Sequence, residues 1–232
     1  MYALKRILRA PNWKYAVGEV ILIFVGITLA LLANSWHENL NDREEEIGLL
    51  RQLLLSVEAD ISLIDDRKSL IEDKVNRMKG LQHHIRESLP YSDDLRESFR
   101  TIASTPAASI NTAPFEMLKY RGIHLVSDPG LRNQLVDYYD TEQKLLIRRN
   151  EYDLYNARDT LPYFKKNFRW DSESLLMEPV DYKSLIKDQE FLNILAVRIW
   201  SSENLTLREY RRLRSKAQNL ANAVEQHLDS IQ

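Results

Sequence analysis

A chain of 232 residues with 44% hydrophobic and 28% charged side chains has enough apolar material to build a core, which excludes wholesale disorder. Its 32 basic and 34 acidic residues leave a net charge of −2, without the basic excess of a nucleic-acid binder, so no nucleic-acid partner is expected. The lack of cysteine removes disulfides, thiolate metal sites and cysteine nucleophiles, and six glycines with seven prolines suit long helices better than an all-β fold.

Residues 1–14 form a basic tail, with Lys5, Arg6, Arg9 and Lys14 and no acid. Residues 15–36 follow as twenty-two residues with one charge, Glu19. At ~1.5 Å per helical residue they reach ~33 Å, about the thickness of a hydrocarbon core. Trp13, Tyr15 and Trp36 stand at its borders, where amphipathic rings prefer the membrane interface. Beyond it Glu38, Asp42, Glu44, Glu45 and Glu46 outnumber Arg43. The positive-inside bias then places the N-terminus in the cytoplasm and residues 37–232 in the periplasm of a bacterial inner membrane, with the lipid bilayer as a partner. A cleaved signal peptide is the rival reading, with Thr28-Leu29-Ala30 as a cleavage site. Against it, the apolar run continues through Leu31, Leu32 and Ala33 into helix-forming sequence. No second span follows, since Phe191 to Trp200 is short and contains Arg198.

The motif Tyr15-Ala16-x-Gly18-Glu19-x-x-Leu22-x-x-x-Gly26-Ile27-x-x-Ala30-Leu31, followed by Trp36 and Glu38, resembles the N-terminal signature of an uncharacterised bacterial family of small single-pass membrane proteins, a domain of unknown function. The Gly-Glu pair inside an apolar helix makes the likeness specific. A second stretch, Phe115-x-x-Leu118-Lys119-x-x-Gly122 with Leu131-Arg132-x-x-Leu135 and Tyr138-Tyr139, is similar to that family's downstream pattern. The resemblance implies a single-pass topology and supplies no activity.

From Asn39 to Ser88 no proline occurs, and apolar residues recur at Leu40, Ile47, Leu50, Leu54, Val57, Ile61, Ile64, Ile71, Val75, Met78 and Ile85, with Arg43, Lys68 and Gln82 as polar exceptions. Alternating steps of three and four predict a helix with one buried seam, continuous with the membrane helix as a single rod. Leu89-Pro90-Tyr91-Ser92 ends it, and a short helix runs to about Ala103. Residues 104–113 read as a loop, Thr112-Ala113-Pro114 as a short-helix start, and Ser127-Asp128-Pro129 as the start of a helix to about Thr160 or Phe168. Residues 169–188 form a connection with a small helix after Asp181, and a last helix runs from Gln189 to about Ile231 with Leu192, Leu195, Ile199, Thr206, Leu213, Leu220, Val224 and Ile231 on its seam. The fold class is therefore all-α: three long helices of ~60–75 Å in an antiparallel bundle. The short helices between residues 92 and 122 either cover one end or fill a fourth position.

Candidate chemistry is sparse. Glu19, Gly26, Ala30 and Ala33 fall on one side of the membrane helix, and small residues four apart let helices approach closely in lipid. Glu19 suits an interfacial carboxylate, a pairing group within an oligomer, or a proton path. His83, His84 and Glu87 could be metal ligands but more simply form a solvated face, as no second ligand cluster appears. Tyr138, Arg148, Arg149, Tyr152, Tyr155 and Arg158 form a Tyr/Arg-rich run suited either to a partner surface or to a core with solvated arginines. No phosphate loop, His-Glu-x-x-His or Gly-x-Ser-x-Gly occurs, so neither a cofactor nor a metal nor an enzyme is expected. The expected function is a membrane-anchored interaction protein that self-associates or joins a larger membrane complex. The alternatives are a periplasmic sensor or regulatory subunit acting laterally through the membrane helix, and an ion-coupled accessory subunit using Glu19.

Overall fold

The computed structural model describes residues 13–105 and 109–231, and for 14–16 the backbone alone. The basic tail, including Lys5, Arg6 and Arg9, and the side chains of Lys14 and Tyr15 lie outside the described residues.

The protein is all-α with long helices, plus one small hairpin of strands. α1 (Trp13–Arg86) is a single helix of 74 residues that contains no proline, and no break separates its apolar segment from the domain. It is long and apolar enough to cross a membrane. Every described side chain from Val17 to Glu44 is exposed, and burial begins at Glu45 and Glu46. The helix ends where Ser88 adopts a positive φ of 52° before Leu89-Pro90, a pair that cannot continue it.

The chain next returns along α1 through α2 (Leu95–Ala103), an extended stretch, and α3 (Ala113–Arg121). Ser104 lies by Lys74, the Asn111 N–H reaches Asp60 at 3.4 Å, and Arg121 reaches Glu45 at 3.4 Å. The short helices thus fill the fourth position beside the long ones. Gly122 then makes a turn that only glycine allows, with φ at 113° and a would-be Cβ 2.3 Å from the His124 ring. A single 3₁₀ turn (Ile123–Leu125) leads to the Asp128 cap, whose Oδ1 accepts from the Gly130 N–H at 2.7 Å.

α4 (Pro129–Val136), a π-helical turn (Asp137–Glu142) and α5 (Gln143–Asn167) form one outward pass that tolerates Pro162 near its end. β1 (Phe168–Trp170) pairs antiparallel with β2 (Met177–Pro179), where the sequence suggested only a connection, and α6 (Tyr182–Leu185) is the small helix after Asp181. α7 (Gln189–Ser201), a second π-helical turn (Ser202–Thr206) and α8 (Leu207–Ile231) return along α1. Lys79–Glu203, Asp65–Arg214 and the Arg43 bond to the Ile231 carbonyl fix that antiparallel course. Phe99, Phe164, Phe168 and Phe191 close the far end, with ring centroids 5.2–6.0 Å apart.

The buried stripe of α1 corrects the seam read from sequence. Leu50, Val57, Ile64, Ile71, Val75, Met78 and Ile85 are buried as expected, but burial also takes in Glu46, Leu53, Asp60, Lys74 and Leu81, each one residue before an expected position. Leu53 is fully buried, whereas Ile47, Leu54 and Ile61 sit half-buried on the shoulder and Leu40 is exposed. The apolar pattern misled because several true seam positions carry charge. On the last helix Leu192 and Ile231 are likewise only half-buried, and Phe191 and Leu228 are buried instead.

Candidate functional site

Glu19, Gly26, Ala30 and Ala33 are exposed along the N-terminal part of α1, and a Cβ added at Gly26 would meet nothing within 4 Å. Trp13 and Trp36 are exposed at its borders. His83 is exposed and His84 binds the Pro90 carbonyl at 2.9 Å, and the described residues hold no group of metal-ligating side chains.

The Tyr/Arg-rich run divides in two. Tyr138 is 1% exposed and donates to Asp60 Oδ2 at 3.0 Å, so it belongs to the core rather than to a contact surface. Arg149 also turns inward, toward Asp153, the Ser201 hydroxyl and Thr206 Oγ1. The cause is positional: the Tyr138 hydroxyl meets Asp60 on α1, and Arg149 meets Asp153 one turn along its own helix together with the Ser201 and Thr206 hydroxyls. Arg148, Tyr152, Tyr155 and Arg158 remain exposed, with the Arg149 guanidinium 4.9 Å from the Tyr152 ring centre.

Sequence reading missed three polar nodes, each built on an α1 seam residue and spaced fourteen residues apart. At the end nearest the apolar segment, Glu46 Oε1 accepts from the Ser127 N–H at 2.6 Å and its hydroxyl at 3.0 Å, and lies 2.8 Å from His227 Nε2. Ser127 Oγ touches that same ring nitrogen at 3.2 Å. A hydrolytic triad needs serine and acid on opposite nitrogens of the ring, so this cluster is a tie between three chain segments. In the middle, Asp60 receives the Tyr138 hydroxyl and the Asn111 N–H. Burial pushes its carboxyl up to about 6, against the lowering effect of those two donors.

The third node is the most highly charged. Lys74, 6% exposed, and Arg198, 5% exposed, both donate to the carbonyl of Ser104. Arg198 also binds the Ile102 carbonyl at 3.1 Å, Thr105 Oγ1 at 3.2 Å and the Asp153 carbonyl at 3.4 Å. The Asp153 carboxylate is held by Arg149 and by the Thr206 hydroxyl at 2.8 Å. Thr206 ends the second π-helical turn, and Tyr138 lies in the first; such turns often accompany functional positions because they re-aim side chains. Burial, then the neighbouring Arg198, lowers the Lys74 ammonium to about 7, with Asp153 opposing. The available signal was the fourteen-residue spacing of Glu46, Asp60 and Lys74, two heptads at each step.

The downstream motif gains a physical basis here: Phe115, Leu118, Leu131, Leu135 and Tyr138 are buried, Phe115 stacks on Tyr139 at 4.6 Å, and Gly122 makes the turn. Compared with family models, with curated proteins and with solved structures, the chain matches none.

Proposed function

We propose that the protein is a membrane-anchored, non-enzymatic helical interaction protein of the bacterial inner membrane, with residues 37–232 in the periplasm. One observation carries the reading: α1 joins an exposed apolar segment to the packed domain without any interruption. An apolar helix surface left bare from Val17 through Leu32 is stable only if lipid or other helices cover it. The charge asymmetry of its flanks supports the orientation, and the likeness of the Tyr15–Glu38 motif to a single-pass family supports the topology. Glu19, Gly26, Ala30 and Ala33 supply a face for a second copy or a larger membrane protein. A sensory role gains support from one feature, the charged node at Lys74, because it lies on the same helix as the apolar segment.

The chain has no cysteine, so Ala33→Cys introduces a unique crosslinking handle. Disulfide-linked dimers in native membranes, reduced several-fold by Gly26→Ile, are the expected result. An isolated monomer under oxidising conditions, with no larger adduct, refutes the association face. A periplasm-active reporter fused after Gln232 tests the orientation, which fails if the fusion is active only in the cytosol.

A further inference from the structure

The third node is out of charge balance. Lys74, Arg149 and Arg198 face a single carboxylate, Asp153, and Arg149 already occupies it. Two cations then share one backbone carbonyl, that of Ser104, a neutral acceptor that cannot offset either charge. Uncompensated buried charge is expensive in protein interiors.

Lys74 also borders a cleft of about 430 Å³ between α1 and α2. Arg67, Arg77 and Arg100 line it as well, with Glu97 and Asp73 as its acids. Glu97 is engaged by Arg100 through two contacts. Arg67 Nε is buried and, among the described residues, has no hydrogen-bond partner. The cleft thus has a cationic floor and a cationic wall. Its volume lies in the ~300–1,000 Å³ range of small-molecule sites.

We propose that this cleft binds a small dianionic ligand, a phosphate ester or a dicarboxylate. The ligand's oxygens accept from Lys74, Arg67 and Arg77, and its charge offsets the Lys74–Arg198 pair. Planar guanidinium groups suit both anion classes because each presents paired donors to two oxygens. A bilayer headgroup is not the occupant: Lys74 lies thirty-eight residues beyond Trp36, ~57 Å along an unbroken helix. That exclusion alone rests on the membrane placement of α1; the binding site itself does not. A ligand here would touch α1 and α2 together, and so bear on the helix that carries the apolar segment.

The test uses the full-length protein in detergent micelles at pH 7, titrated calorimetrically with inorganic phosphate, pyrophosphate and succinate. Ionic strength is held constant, so that general screening cannot mimic binding. Saturable binding of at least one probe is expected, weakened at least tenfold by Arg67→Gln or Arg77→Gln and abolished by Lys74→Met. Arg77 is exposed at the cleft wall, so Arg77→Gln keeps the test valid if Lys74→Met does not fold. Absence of saturable binding by all three probes overturns the proposal, as does binding that both arginine variants leave unchanged. Tighter binding of an oligoglutamate peptide than of any small probe also overturns it, in favour of an acidic protein partner.

Discussion

Replacing Lys74 by methionine should stabilise the protein, and by an amount that depends on pH. The ammonium is held at about 7 in the folded state against an ordinary value of 10.5. Below pH 7 it is charged in both states, and burial then disfavours folding by several kcal/mol, at about 1.4 kcal/mol per pH unit between the two values. Between pH 7 and 10.5 the unfolded chain holds a proton that the folded chain has released, so wild-type stability rises at about 1.4 kcal/mol per pH unit. A folded value depressed in this way gives stability that is complete above 10.5 and lost as pH falls to 7. Methionine keeps most of the volume and removes the charge, while Arg198 remains to satisfy the Ser104 carbonyl. The charged groups that act on the ammonium are Arg198 and Asp153. Urea unfolding of the full-length protein in micelles, in anion-poor buffer from pH 6 to 10, reads the difference directly. Lys74→Met should gain several kcal/mol at pH 6 and almost nothing at pH 10. A difference that is flat across this range refutes the claim that a buried charge drives it.

Three further outcomes are expected from the packing and the backbone. Asp60→Asn should stabilise by on the order of 1–2 kcal/mol at pH 7.5 and by nothing near pH 3.5; the raised carboxyl value means wild-type stability falls as pH climbs from 3.8 to 6, and a pH series of thermal melts checks the sign. Leu53→Ala should lose about 2–5 kcal/mol and Leu54→Ala less than half as much, and equal losses in chemical unfolding would return the seam to the register first read from sequence. Gly122→Ala meets both a positive φ and the His124 ring, and should lose about 2 kcal/mol or more; a melting temperature lowered by less than about 2 °C contradicts that strain.

The long helices were legible because proline is rare and because start signals stand where helices begin, as at Asp128-Pro129. The end of α1 and the cap at Asp181 were legible for the same reason, since they depend on local chemistry. The seam of α1 was not. Ile47, Leu54 and Ile61 advertise a stripe that the fold places on the shoulder, while Glu46, Asp60 and Lys74 are buried through partners far away in sequence. Apolar periodicity cannot announce a buried charge whose partner is a hydroxyl or a carbonyl on another helix. Tyr138 stayed open between core and surface for the same reason, because a polar end reads as surface until its distant acid is known. The π-helical turns add to this, since one extra residue rotates the downstream helix without leaving any mark in composition.

The fourteen-residue rhythm of polar groups on α1 also acts as a vernier for assembly. Purely apolar heptads would let the helix slide by seven residues and find equivalent grooves. Such a slide here would set the Tyr138 hydroxyl against Leu53 or Arg67 and strand Asp60 among hydrocarbon. Sliding by fourteen realigns polar with polar but mismatches the chemistry. One direction brings Lys74 to the donors that hold Asp60, and the other sets Asp60 against the carbonyl that Lys74 binds. The three nodes therefore admit one alignment, and by fixing the axial position of α1 they fix the distance at which the domain stands off from the apolar segment.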